Sequence, residues 1–274
     1  MDTKILTNDP TTFSIEVMPR TAKKIDDFRR ILPKKTTVYV AHLEDTPIEE
    51  MFFTCKRLIS EGMAPMPHIP ARIIRNTGEL EDWVKEYSSL GVNQSLLLAG
   101  NGKNPKGDLF NSIQMLETGI FEKHAFKKIQ IAGHPEGNKD IDKDGNLEKT
   151  INALKTKQKF ALKTKLKIGI TTQFCFDLRP VIEWLKVLER EQIDLPISLG
   201  LAGPTRLQTL IKYAIMCGVG PSISVLKKRA KDLTKLLLPF EPTEMIDALT
   251  SRKKNKLFKN VHSLHFFPLG GIEA

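Results

Sequence analysis

The sequence alternates short apolar runs with longer amphipathic stretches, and this alternation constrains the fold more than any other feature. Eight runs have the length of buried strands, and the stretches between them have helical periodicity. A helix between two strands forbids a tight hairpin, so we expect parallel strands. Eight strand–helix units in 274 residues predict an α/β fold, a single (β/α)₈ TIM barrel domain over residues 1–274, with a doubly wound open sheet as the alternative. The apolar runs are 13–19, 36–42, 64–71, 94–101, 128–135, 166–176, 196–203 and 263–270.

Charge and cysteine content narrow the classes of partner. The 42 Lys and Arg against 32 Asp and Glu give a net charge of +10, which suits an anionic small molecule, a nucleic acid or a membrane surface. Aromatic residues make up only 7% and are not interleaved with the lysines, so we expect no nucleic-acid partner. The chain has no apolar stretch of membrane-spanning length and three cysteines without a CxxC motif. We therefore expect a cytoplasmic protein with no membrane partner and no structural metal.

Two polar segments have alternative interpretations. The lysine-rich segment 149–167 is either a solvated helix face or a site for a pyrophosphate or a glutamate tail. The segment 140–151 begins like a calcium loop, but its twelfth position holds Ile151 where a bidentate Glu is needed. We interpret that segment as a polar loop.

Polar residues lie at the carboxyl end of most predicted strands, where the chemistry of a barrel is found. In the first strand, period-two alternation places Glu16 on the face that points into the barrel. A desolvated carboxylate there can act as a general acid; the alternative is a salt bridge to Arg20 or a neighbouring Lys. In the sixth strand, Gln173 offers a hydrogen-bond donor and an acceptor side by side, which suits a heterocyclic amide. The whole set of strand-end residues is Glu16, His42, His68, Asn101, His134, Glu136, Gln173, Asp177, Gly203 and Pro204.

Together these motifs resemble the methylenetetrahydrofolate reductase family, in the same order along nearly the whole chain. The family's FEFFPP-like strand is similar to 13–19, its Ala-Pro-His strand to 66–68, and its Leu-Arg-Gly-Asp turn to 98–101. Its Tyr-Pro-Glu turn is similar to 134–136 and its Thr-Gln-Phe-Phe-Phe-Asp strand to 172–177. A last strand beginning His-Phe matches at His265 and Phe266.

The resemblance implies a flavin-dependent oxidoreductase of one-carbon metabolism. Such an enzyme interconverts 5,10-methylenetetrahydrofolate and 5-methyltetrahydrofolate, with FAD as cofactor and NAD(P)H as co-substrate. By resemblance, Glu16 is the catalytic acid, and Gln173 and Asn101 bind the folate. The implied FAD contacts are His68, Gly100, Asn101, His134 and a phosphate-binding helix spanning Asn152 to Lys159.

Several family positions are occupied by other residues. Asn101 replaces the family's Asp, His134 replaces its Tyr, and Ala99 replaces the Arg before the glycine. An amide in place of the carboxylate removes a full negative charge from the site. The alternative function is therefore a divergent barrel that binds tetrahydrofolate without FAD, as a flavin-independent enzyme or a non-catalytic binding protein. The sequence neither predicts nor excludes that the protein forms a homo-oligomer.

Overall fold

The predicted barrel is present. The computed structural model describes residues 13–100, 105–138, 140–144, 146–216, 239–252 and 255–273. Eight strands in these ranges form one closed sheet in the order β1, final strand, β7, β6, β5, β4, β3, β2, so the doubly wound open sheet is excluded. The strands are β1 (Phe13–Val17), β2 (Thr37–Val40), β3 (Ala64–Pro70), β4 (Gln94–Leu98), β5 (Lys128–Gly133), β6 (Lys167–Thr172), β7 (Ile197–Ala202) and the final strand (Val261–Phe267).

Helices alternate with these strands, as the periodicity predicts. A proline precedes α2, and Glu49 and Glu50 in its first turn suit the positive end of the helix dipole. The helices are α1 (Pro19–Ala22), α2 (Ile48–Ser60), α3 (Thr77–Ser89), α4 (Ser112–Glu117), α5 (Ile120–Lys123), α6 (Glu148–Ala161), α7 (Leu178–Arg190), α8 (Leu207–Met216) and a last helix (Thr243–Arg252). The sequence pattern of 221–237 predicts a further helix, and this segment lies outside the described residues.

Internal contacts divide the described chain into two compact units. The first unit contains 133–158 and 171–273, and the second contains 13–132 and 159–170. A single domain over residues 1–274 remains a prediction.

The second unit holds β1 to β4 and most of β5, and its parallel register fixes which side chains share a face. Glu16 lies beside Tyr39, Tyr39 beside Met66, and His68 beside Leu96. Because side chains alternate along a strand, the side chains of these five residues all project from the same face of the sheet. The opposite face carries fully buried aliphatic residues that pack under the helices: Val38, Ile69, Leu97 and Ile131.

The first unit is built on β7 and the final strand. Every residue of β7 is buried, as expected of a parallel strand that is covered on both faces. Gly200 in β7 has no room for a side chain, because a Cβ there would lie 2.5 Å from the Thr172 carbonyl oxygen. A buried cluster around Phe174, Ala202 and Leu210 packs α8 against these strands.

Candidate functional site

A carboxylate and an imidazole meet on the shared face of the second unit. The Oε2 atom of Glu16 lies 3.2 Å from Nε2 of His68. Glu16 is one residue from the end of β1, and His68 is two residues from the end of β3. Their side chains are 18% and 12% exposed, so a small part of each is accessible while most of the bulk water is kept away. The two atoms are within the distance of an ion pair. Nε2 makes no hydrogen bond of good geometry within the described residues.

Tyr39 supports the imidazole of His68 from the neighbouring strand. The two ring centroids are 6.1 Å apart and the rings are nearly perpendicular, at 84°. Tyr39 is fully buried in a cluster with Met66 and Leu96. The pair therefore stands on an apolar, closely packed wall, which limits the rotation of the His68 ring.

His42 follows β2 and lies near enough to His68 for their charges to interact. Burial lowers the pKa of His42, and positive charge on His68 and Lys106 adds to this effect, whereas the contact with the Thr46 carbonyl opposes it. Nε2 of His42 lies 3.0 Å from the Thr46 carbonyl oxygen, so the neutral ring carries its proton there and donates it. Nδ1 is then an acceptor, and it has no hydrogen-bond partner within the described residues.

An open cleft of about 380 Å³ lies beside His42 in the same unit. Its floor contains the rings of His42 and Trp83, whose centroids are 5.4 Å apart. Three connections form its walls: β2–α2, β3–α3 and β4–α4. The lining residues are His42, Glu44, Asp45, Thr46, Pro47, Ile48, Ile73, Arg75, Glu79, Trp83 and Lys106.

Three residues predicted to contact FAD belong to the second unit. His68 is paired with Glu16 as described above. Gly100 adopts a left-handed backbone conformation (φ +88°), and its carbonyl oxygen accepts a hydrogen bond of 3.2 Å from Arg72. Lys159 is exposed on the last turn of α6. Asn101, predicted to contact both folate and FAD, lies outside the described residues.

The remaining predicted contacts belong to the first unit. Burial lowers the pKa of His134 to about 4, and the positive charge of Lys157 adds to the effect. Asn152 is exposed on α6, and its backbone carbonyl accepts a hydrogen bond from Thr156. The side-chain oxygen of Gln173 accepts a 3.0 Å hydrogen bond from the Phe174 amide, so this acceptor is already used locally.

The predicted flavin site is not contained within one unit. The predicted FAD contacts are divided between the two units, and only His68 lies at the acid–base pair. None of these residues lines the cleft. Binding of FAD and NAD(P)H therefore remains a prediction.

Asp142 has a structural role that the sequence did not reveal. Its carboxylate accepts hydrogen bonds from the Lys149 amide (2.8 Å) and from the amide and hydroxyl of Thr150 (3.0 and 2.8 Å). Burial alone would raise the pKa of Asp142, but these hydrogen bonds outweigh it and hold the pKa below its usual value. The calcium-like segment thus provides a carboxylate that caps the start of α6.

Two features are absent from the described part of the chain. No helix there is both long and apolar enough to cross a bilayer. No group of three or more His, Cys, Asp or Glu side chains there is arranged to hold a metal ion.

No protein-family model matches the sequence. Among solved structures, the fold is similar to that of oxaloacetate acetylhydrolase, with a TM-score of 0.46 and 11% identity over 72% of this chain and 69% of that chain. It is also similar to phosphoenolpyruvate phosphomutase from Streptomyces platensis subsp. rosaceus, with a TM-score of 0.45 and 12% identity over 69% of this chain and 68% of that chain. With scores this low, the matches assign no activity to this chain.

The comparisons contradict the function that the sequence motifs predicted. We expected a flavin-dependent oxidoreductase acting on methylenetetrahydrofolate, whereas the matching structures are an acetylhydrolase and a phosphomutase. That prediction is wrong, and the flavin-free folate-binding alternative is withdrawn with it, because both rested on the same resemblance. The physical reason is that short motifs at strand ends can follow from the barrel itself, which hosts many chemistries.

Proposed function

We propose that this protein is an enzyme that transfers a proton to or from a small polar substrate, with Glu16 and His68 as its acid–base pair. The observation that carries the proposal is the 3.2 Å contact between the carboxylate and the imidazole. Both side chains are mostly but not fully buried, close to the carboxyl ends of their strands. In barrel enzymes, the reacting groups lie at that end.

The two side chains have complementary roles in such a reaction. A carboxylate accepts a proton, and an imidazole accepts or donates one near neutral pH. Because their reactive atoms lie 3.2 Å apart, a proton can pass between them once a bound substrate aligns the imidazole with the carboxylate. The packing of Tyr39 against His68 fixes the ring before the substrate arrives, so less reorganisation is needed during the reaction.

Solvent deuterium provides a test that does not require the substrate to be known. An enzyme that removes a proton from carbon and returns it exchanges C–H for C–D in D₂O, releasing HDO. We expect the protein, incubated in D₂O with a mixture of small cellular metabolites, to introduce deuterium into at least one compound, as measured by mass spectrometry. Glu16→Gln and His68→Asn should each slow this exchange by roughly 10²–10⁴-fold.

Matched substitutions at exposed positions serve as controls. Glu86→Gln on α3 and His262→Asn on the final strand change the same side-chain types away from the pair, and both should exchange at the wild-type rate. If the wild-type protein labels no compound, or if labelling persists in both Glu16→Gln and His68→Asn, the proposal is overturned.

A further inference from the structure

The cleft beside His42 carries charge of opposite sign on different connections. Glu44 and Asp45 are exposed on the β2–α2 connection, and neither makes an ion pair within the described residues. Lys106 is exposed on the β4–α4 connection and is likewise not ion-paired within that part of the chain. A ligand with both a positive and a negative group therefore finds a partner for each.

The other two charged residues of the cleft neutralise each other. Nη2 of Arg75 lies 2.9 Å from Oε1 of Glu79, and the Arg75 amide donates a 2.6 Å hydrogen bond to Oε2. Burial acts to raise the pKa of Glu79, but the Arg75 contacts and, to a smaller extent, the nearby Lys106 charge prevail and hold it below its usual value. This pair stays ionised and contributes little net charge, so Glu44, Asp45 and Lys106 determine which ligand charges are favoured.

The floor of the cleft is aromatic and holds an unused acceptor. His42 and Trp83 are 6% and 9% exposed, and their rings, tilted by 38° to each other, line the cleft. Nδ1 of His42 has no donor within the described residues, and an acceptor buried without a donor is unfavourable. Nδ1 itself has almost no accessible surface, so a ligand N–H group would satisfy it only if the His42 ring shifts toward the cleft. The volume of about 380 Å³ is in the range of small-molecule sites.

We propose that this cleft binds a small zwitterion with an apolar or aromatic side group, of the kind represented by a free α-amino acid. The ammonium group faces Glu44 and Asp45, the carboxylate faces Lys106, and the apolar group packs on Trp83. The proposal stands apart from the acid–base function, because neither Glu16 nor His68 lines the cleft.

Three ligands of the same size separate the two charge contributions. L-phenylalanine carries both charges, phenethylamine lacks the carboxylate and 3-phenylpropionate lacks the ammonium group. We expect L-phenylalanine to bind at least about tenfold more tightly than either of the others. Binding is measured by titrating tryptophan fluorescence, and Trp83→Phe should abolish the response because the second tryptophan, Trp184, is buried in α7.

Charge-removing variants assign each contact. Lys106→Gln should lower the affinity for L-phenylalanine to that for phenethylamine, and the double variant Glu44→Gln/Asp45→Asn should lower it to that for 3-phenylpropionate. Lys85→Gln removes an exposed cation from α3 that does not line the cleft, and should bind as wild type does. Equal affinity for the three ligands, no saturable response to any of them up to about 10 mM, or a response that survives Trp83→Phe overturns the proposal.

Discussion

At the scale of single residues, the cost of burying charge explains why Glu16 and His68 lie together. A carboxylate on the inner face of a barrel strand loses most of its hydration, and a cationic or hydrogen-bonding neighbour offsets that loss. The neighbour here is an imidazole two strands away, in contact with a buried tyrosine ring. An imidazole differs from a lysine or arginine in that it can release its proton near neutral pH.

His134 should make the stability of the protein depend on pH. Its pKa falls from an ordinary 6.5 to about 4 because of burial and the Lys157 charge. The unfolded chain then binds a proton that the folded protein does not, so stability is full above about pH 6.5 and falls at lower pH by up to about 1.4 kcal/mol per pH unit, until about pH 4. In urea unfolding at about pH 7, 6 and 5, His134→Gln should show a shallower decline than wild type.

The control for this prediction is an exposed histidine on the final strand. His262→Gln should leave the pH dependence of unfolding as it is in wild type. If the wild-type and His134→Gln proteins lose stability equally between pH 7 and 5, His134 does not remain neutral in the folded protein.

The sequence predicted the direction of Glu16 but not its partner. Period-two alternation is a local property, so the inward face of β1 follows from five residues alone. Which residue of β3 comes opposite depends on the stagger between strands, which no local pattern encodes. The salt bridge considered as an alternative for Glu16 named Arg20 or a lysine and not His68, whose Nε2 atom lies 3.2 Å from the carboxylate.

At the scale of elements, amphipathic helices were predicted accurately because their pattern is repeated over several turns. The apolar residues of 77–89 recur at helical spacing, which predicts one apolar face, and in α3 all four are buried: Leu80, Trp83, Val84 and Tyr87. Asn76 caps this helix by accepting a 2.9 Å hydrogen bond from the Glu79 amide. Asp177 caps α7 in the same way, through the Arg179 amide.

The strand β3 forms although three of its seven residues are proline. Proline lacks an amide donor, so this strand depends on its carbonyl groups. The Ser95 hydroxyl donates a 2.7 Å hydrogen bond to the Pro67 carbonyl, and the Gln94 side chain donates to the Ala64 carbonyl at 3.2 Å. Side chains of β4 therefore add hydrogen bonds that support the strand carrying His68.

Gly107 should be indispensable to the connection between β4 and α4. A Cβ at this position would lie 1.9 Å from the Arg75 carbonyl oxygen, which is backbone and cannot rotate away. We expect Gly107→Ala to reduce the free energy of unfolding by about 1–3 kcal/mol or more. It should also weaken ligand binding in the cleft, because Arg75 and the adjacent Lys106 both line it. Urea unfolding and the fluorescence titration measure the two effects.

Gly119 provides a matched glycine without the clash. Its backbone is left-handed (φ +69°), but a Cβ there meets no atom within 4 Å. Gly119→Ala should therefore cost only the backbone strain, about 1 kcal/mol, and leave the cleft unchanged. Equal destabilisation by the two substitutions would show that the approach of Gly107 to Arg75 is not as close as described.

At the scale of the whole molecule, the barrel could be predicted and the function could not. Eight alternating strand–helix units leave few parallel topologies. Closure of the barrel pairs the two edge strands, so their backbone hydrogen-bonding groups find partners. Function depends on a few side chains whose mutual distances arise only after closure. The motifs around Glu16, His68 and Gln173 located the strands correctly, but the chemistry inferred from them by resemblance was wrong.

A cycle of substitutions in the acid–base pair is the most direct measurement of the proposed function. It compares the solvent-deuterium exchange rate of wild type, Glu16→Gln, His68→Asn and the double variant. If the two side chains hold and pass one proton as a unit, the double variant should be about as slow as the slower single variant. If the two losses instead multiply, Glu16 and His68 act independently, and the carboxylate–imidazole contact has no part in the reaction.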